Sequence, residues 1–126
     1  MTNEDLASKY RRYIDLCNKR GMDDLSEFVH DELTFNDKPI SRIEMQKTFG
    51  AAISSAPDFN LSIEMLLVDG DMVASRMVLT STPEREFHGL QPTGRTMKIR
   101  EYAFYRFEKG KIRQLWMMLD TPSAAV

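Results

Sequence analysis

Residues 96–120 read TMKIREYAFYRFEKGKIRQLWMMLD, two apolar-rich runs joined by Lys109-Gly110. The turn-forming Lys-Gly pair between alternating runs predicts an antiparallel hairpin, with one strand over Thr96–Glu108 and its return over Lys111–Asp120. A strand points successive side chains to opposite faces. The first strand therefore carries Met97, Ile99, Glu101, Ala103, Tyr105 and Phe107 on one face, and Lys98, Arg100, Tyr102, Phe104 and Arg106 on the other. The return strand sets Leu115, Met117 and Leu119 against Ile112, Trp116 and Met118. Neither face is polar enough to be simply wet. The outer face is therefore expected to meet a second copy of the chain as a homodimer, cover by the tail or a loop being the alternative.

Working back from the hairpin, Phe59, Leu61, Ile63, Met65 and Leu67 alternate with more polar neighbours, and Asp69-Gly70 turns that strand into another over about Met72–Ser81. A link rich in Pro, Gly and Thr, TPEREFHGLQPTGR, precedes the last hairpin. Earlier still the period is helical. Thr2 stands three residues before Asp5 as a helix start, and Leu6, Tyr10, Tyr13, Ile14 and Cys17 form one stripe that Gly21 ends. Asp23 or Asp24 caps a short second helix burying Leu25, Phe28 and Val29. A short strand over Glu32–Asp37 is broken by Lys38-Pro39, and a Ser41/Glu44 capping box opens a third helix with Ile43, Phe49 and Ile53. Three helices before a four-strand antiparallel meander, with one short strand between, argue an α+β fold with helices on one face of a curved sheet that encloses a cavity. The whole chain, 1–126, reads as a single domain, and the tail TPSAAV as loose.

The totals exclude several functions. With 126 residues, 42% apolar, 29% charged and a net charge of −2, the chain has an ordinary globular balance and no basic stripe for a nucleic-acid backbone. One cysteine allows neither an internal disulfide nor a cysteine metal cluster. The polar, acidic start is unlike a signal peptide, and no apolar run is long enough for a bilayer, so no membrane partner and a reducing cytoplasm are expected. His30 and His88 are far apart and lack metal-ligand spacing, with His88 read as an exposed loop histidine. No phosphate loop, dinucleotide fingerprint or Ser-His-Asp set is present, so neither a cofactor nor a metal is expected. Nine methionines are read as core filling, with an adaptable pocket lining as the alternative.

The run FHGLQPTGRTMKIREYAFYRFEKGKIRQLWMMLD resembles the C-terminal half of SnoaL-like proteins. Phe87, Gly89, Pro92, Thr93, Gly94, Arg95, Gly110, Lys111, Ile112, Trp116 and Asp120 match in order. The N-terminal half matches more loosely through Asn18 and FVHDEL, and the nearest members are labelled ester cyclases. The resemblance implies a nuclear-transport-factor-2-like (NTF2-like) cone. Polyketide cyclases of this type use an aspartate in the last strand, helped by a histidine on its neighbour. Those positions hold Met117 and Ala103 here, and a substrate-facing tyrosine falls at Cys17. Met and Ala cannot transfer a proton, so the cyclase mechanism does not carry over. The segments RYIDLCNKRG and VHDELTFNDKP also resemble ketosteroid isomerase, which has the same cone fold. That likeness sets an oxyanion-donating phenol at Tyr13 and a base at Asp37, with the third polar group replaced by Ala103.

The resemblance thus implies a cofactor-free enzyme moving a proton on a small hydrophobic carbonyl compound or ester, with Asp37 as base and Tyr13 as donor. The alternative is a non-catalytic binding or scaffold protein. Asp37 before Lys-Pro also reads as a turn-former, and Tyr13 as a structural phenol. Glu101 is expected on the cavity side with Arg76 as partner, either as a structural pair or as part of the site. Phe49, Tyr105, Met117, Leu119 and Trp116 would shape the pocket, and Cys17 reads as a buried small hydrophobe. Asp120 closes the last strand, where the family often keeps an acid.

Overall fold

The computed structural model describes residues 2–82, 84, 92 and 94–120. His88, most of the Pro/Gly-rich link and the tail from Thr121 lie outside the described residues. Helix α1 spans Asn3–Asn18, and a 3-10 turn covers Met22–Glu27. Strands β1 (Val29–Phe35) and β2 (Lys38–Ser41) come next, then α2 (Arg42–Ser54). Strands β3 (Asn60–Asp69), β4 (Met72–Ser81), β5 (Met97–Glu108) and β6 (Lys111–Asp120) complete one curved, open sheet of order β2-β1-β6-β5-β4-β3. The α+β architecture with helices toward the N-terminus is as expected.

Both capping boxes form. Thr2 and Asp5 bond each other's backbone N–H at 3.1 Å, and Ser41 and Glu44 do the same for α2. Helix α1 buries the foreseen stripe of Leu6, Tyr10, Tyr13, Ile14 and Cys17 against the inner face of the sheet. Its end differs from expectation. Arg20, not Gly21, takes the left-handed conformation (φ 61°). The Arg20 guanidinium compensates by donating to the carbonyls of Phe59 and Pro57, at 3.2 and 2.6 Å, clasping the helix end to the approach to β3.

Four further expectations are corrected. The second helix is a short 3-10 segment kinked at Asp24, and Val29 already belongs to β1. Lys38-Pro39 does not end a lone strand. Asn36 and Asp37, with φ of 49° and 70°, form a two-residue turn of the kind that matches strand twist, and Lys38 returns as β2 opposite Phe35. Proline is tolerated there because β2 is an edge. Since β1 runs parallel to β6, the sheet is mixed rather than wholly antiparallel. Ile43 is exposed, and α2 buries Met45 together with the expected Ile53.

Two bulges bend the sheet and reset its faces. A register shift between Ile63 and Met65 sends Met65 and Leu67 outward, where strict alternation from Phe59 predicts them inside. Another, where Arg106↔Gln114 gives way to Phe107↔Ile112, brings Ile112 to the same buried side as Leu115. On β5 the alternation holds: Ile99, Glu101, Ala103, Tyr105 and Phe107 are buried.

Candidate active site

Between α1, α2 and the concave face of the sheet lies an apolar cavity of ≈ 180 Å³. Its deep part is formed by Tyr13 and Cys17 of α1 with Glu101 and Tyr105 of β5, all buried. Phe49 and Ala52 of α2, Leu61 of β3, and Met117 and Leu119 of β6 are half-buried and form the rim. Helical spacing puts Tyr13 and Cys17 one turn apart on one face, and strand spacing puts Glu101 and Tyr105 on one side of β5.

Glu101 is the exceptional group. It is only 6% exposed, and its lateral neighbours on β4 and β6 are Met77 and Leu119. Among the described residues nothing donates a hydrogen bond or supplies a counter-charge to its carboxyl group. Burial alone therefore raises its pKa, to about 7. Three phenols cluster beside it. The Tyr10 and Tyr105 rings meet edge-on at 4.8 Å, and Tyr13 lies 5.9 Å from Tyr105. The Tyr10 hydroxyl and Ser75 Oγ share a hydrogen bond of 2.6 Å. Burial pushes all three phenols well above their ordinary range, and proximity to Glu101 adds to the effect. Burial pushes Cys17 up to about 12. Near neutrality these groups are uncharged, and Glu101 is the one that can exchange a proton.

Of the expected site residues, Tyr13, Cys17, Phe49, Glu101, Tyr105, Met117 and Leu119 come together around the cavity. Five do not. Asp37 is exposed in the β1–β2 turn, where its Oδ1 accepts the indole N–H of Trp116 at 2.9 Å. Trp116 is on the outer face of β6, paired laterally with Phe104. Neither touches the cavity, so the phenol at Tyr13 and the carboxylate at Asp37 do not face a common chamber. Arg76 is also on the outer face, opposite Tyr102, and it bonds Glu64 at 3.1 Å rather than Glu101. Asp120 is exposed beside Arg100. Ala103 is buried on the inner face but does not line the cavity.

Phe35, Ile53, Phe59 and Leu79 also line the chamber. Their alternation or helical spacing marks them as inward-facing, but nothing in that pattern separates a cavity wall from solid core. Among the described residues no group of three or more His, Cys, Asp or Glu could hold a metal ion. No helix there is long and apolar enough to cross a membrane.

Fold and chamber together define a class: an α+β cone whose helices and curved sheet surround an apolar cavity. The sequence matches the family model for SnoaL-like polyketide cyclase over residues 7–125, and the chain belongs to that family. A SnoaL-like polyketide cyclase from Agrobacterium tumefaciens is 31% identical, with a TM-score of 0.87 over 95% of this chain and 93% of that one. TsrD from Streptomyces laurentii is 18% identical with a TM-score of 0.86, covering 95% and 91%. AclR from Streptomyces galilaeus is 22% identical with a TM-score of 0.79, covering 94% and 91%. These last two likenesses speak to the fold alone. No curated protein matches the chain.

Proposed function

We propose that this protein is a cofactor-free enzyme of cyclase or isomerase type, which binds a small hydrophobic carbonyl compound or ester in the cavity and moves a proton on it with Glu101. The observation that carries this reading is a carboxyl group with no partner among the described residues, buried in an apolar chamber, whose pKa of about 7 suits a proton carrier at neutral pH. As the carboxylate, Glu101 takes a proton from the carbon next to the carbonyl. The C–H electron pair forms a C=C bond as the carbonyl π pair moves onto oxygen, and a Tyr13 or Tyr105 hydroxyl donates a hydrogen bond to the developing oxyanion. The neutral acid then returns the proton at another carbon, or the enolate carbon attacks an internal carbonyl carbon, closing a ring, and the neutral acid protonates the resulting alkoxide; either route restores the Glu101 carboxylate.

The test needs no knowledge of the natural substrate. A panel of small ketones and esters is incubated in deuterated water, and exchange of the α-hydrogens is followed by NMR. Wild-type protein is expected to accelerate exchange of at least one compound, Glu101→Gln to lose at least about 99% of that acceleration, and Asp37→Asn to keep it. Full exchange in Glu101→Gln would overturn the reading. A non-catalytic ligand-binding protein is the second reading, favoured by Met117 and Ala103 standing where the family's proton-transferring residues fall. It is supported if compounds bind but none exchanges.

We also propose that the outer sheet face joins two copies of the chain. Met65 (52% exposed), Leu67 (65%), Phe104 (54%) and Met118 (66%) lie there with Trp116 and Tyr102. They form two adjacent rows across the strands, Leu67–Ala74–Phe104–Trp116 and Met65–Arg76–Tyr102–Met118. An apolar surface this continuous is uncommon on a monomer.

A further inference from the structure

We infer that the cavity selects a neutral molecule of about one ring, with its carbonyl or ester oxygen held by the phenols beside Glu101, and that it rejects carboxylates. This assignment of substrate class rests on the reading of Glu101 as the proton carrier.

Size argues first. A cavity of about 150 Å³ in another protein is known to accept benzene, and this one holds ≈ 180 Å³. A single ring with a short substituent fills it, while a fused second ring would have to protrude past Phe49, Met117 and Leu119 at the rim.

Charge argues second. Among the described residues that line the cavity there is no Lys, Arg or His. The ionisable groups facing Glu101 are Tyr10, Tyr13 and Cys17 from α1 and Tyr105 from its own strand. The lining residues of α2, β1, β3, β4 and β6 contribute only apolar side chains and the exposed Thr48. A carboxylate in this chamber would be desolvated with no counter-ion and would face a second carboxyl group. An ammonium would have to satisfy three donors and be stripped of water to reach one acid, an exchange that breaks even at best. A neutral carbonyl needs only a donor, which the phenols supply.

The deep site has two states. With Glu101 protonated the site is neutral. Once Glu101 is ionised, a neutral ligand that fills the chamber strips water from the carboxylate, and binding carries that added desolvation cost. Binding of a carbonyl compound therefore weakens as the pH rises through the titration of Glu101.

Four compounds separate the possibilities: acetophenone, benzoate, benzylamine and 2-acetylnaphthalene. Binding of each to the wild-type protein and to Glu101→Gln is measured by calorimetry or ligand-observed NMR at pH 6 and pH 8, either side of the Glu101 value of about 7. Acetophenone is expected to bind at least about tenfold more tightly than the other three at pH 6, a difference of about 1.4 kcal/mol. Its affinity should fall between pH 6 and pH 8 in the wild type and stay level in Glu101→Gln, whose amide does not ionise. No binding of acetophenone, equal or tighter binding of benzoate or benzylamine, or equal binding of the two-ring ketone overturns the inference. Lost selectivity with α-hydrogen exchange intact removes the substrate class and leaves Glu101 its role. Selective binding without exchange removes the enzymatic role and leaves the ligand class standing.

Discussion

Glu101 would be a poor choice for stability alone. Its proton is held to about pH 7 in the folded chain, against 4.5 for the ordinary side chain. Between those values the native state binds a proton that the unfolded chain releases, so stability falls as the pH rises through the interval. The contribution is full below about pH 4.5 and gone above about 7, with a span of about 3 kcal/mol. Glu101→Gln, close in shape and never charged, is therefore expected to be more stable than wild type at pH 8 by up to about 3 kcal/mol and nearly equal to it at pH 4.5. Urea denaturation at the two pH values measures this, and a variant no more stable at pH 8 would contradict the burial argument. The inward direction of Glu101 is legible in the sequence from the alternation of β5. The absence of a partner among the described residues is not. Arg76 and Glu101 differ by one in strand parity across a pairing that matches Met77 to Glu101, so Arg76 points the other way. Asp37 misleads for a different reason: a likeness of local sequence to ketosteroid isomerase does not fix which side of a turn a carboxylate faces.

Among the elements, the β1–β2 hairpin depends on two residues. Asn36 takes a left-handed φ, its side-chain amide donates to the Met117 carbonyl at 3.2 Å, and its Oδ1 accepts the Met117 N–H at 2.8 Å. In effect Asn36 extends the parallel pairing of β1 and β6 by one step and holds Phe35 and Met117 at the cavity. Asn36→Ala loses both bonds and adds backbone strain, at a cost of about 2 kcal/mol, while Asn36→Gly keeps the conformation and costs about 1. Equal effects, read from thermal or urea unfolding, would mean the φ angle carries none of the cost. The hairpin is hidden in the sequence because Asn-Asp is a weaker turn signal than Asn-Gly, and Pro39 suggests a break. The bulges after Ile63 and at Arg113 are hidden too, since each inserts one residue into a pattern whose alternation otherwise looks continuous.

For the whole molecule, capping boxes, stripe and strand alternation make α1, α2 and the last four strands legible in the sequence, and the SnoaL-like resemblance supplies the cone, as the family membership bears out. Chemistry is less legible, because the fold carries many activities on one scaffold. The outer face makes its own prediction. Phe104→Glu with Met118→Glu is expected to give a monomer by sedimentation or light scattering while leaving the cavity and α-hydrogen exchange unaltered; a wild-type protein that is already monomeric at micromolar concentration would refute the paired arrangement. What unites sheet, helices and site is a single carboxyl group kept out of water. Its titration, followed by NMR of the Glu101 side-chain carbon with Glu101→Gln to assign the signal, is the most direct measurement. A midpoint near the value of about 7 is expected; one at the ordinary 4.5 would mean that Glu101 is solvated or paired, and that the cavity holds no proton carrier.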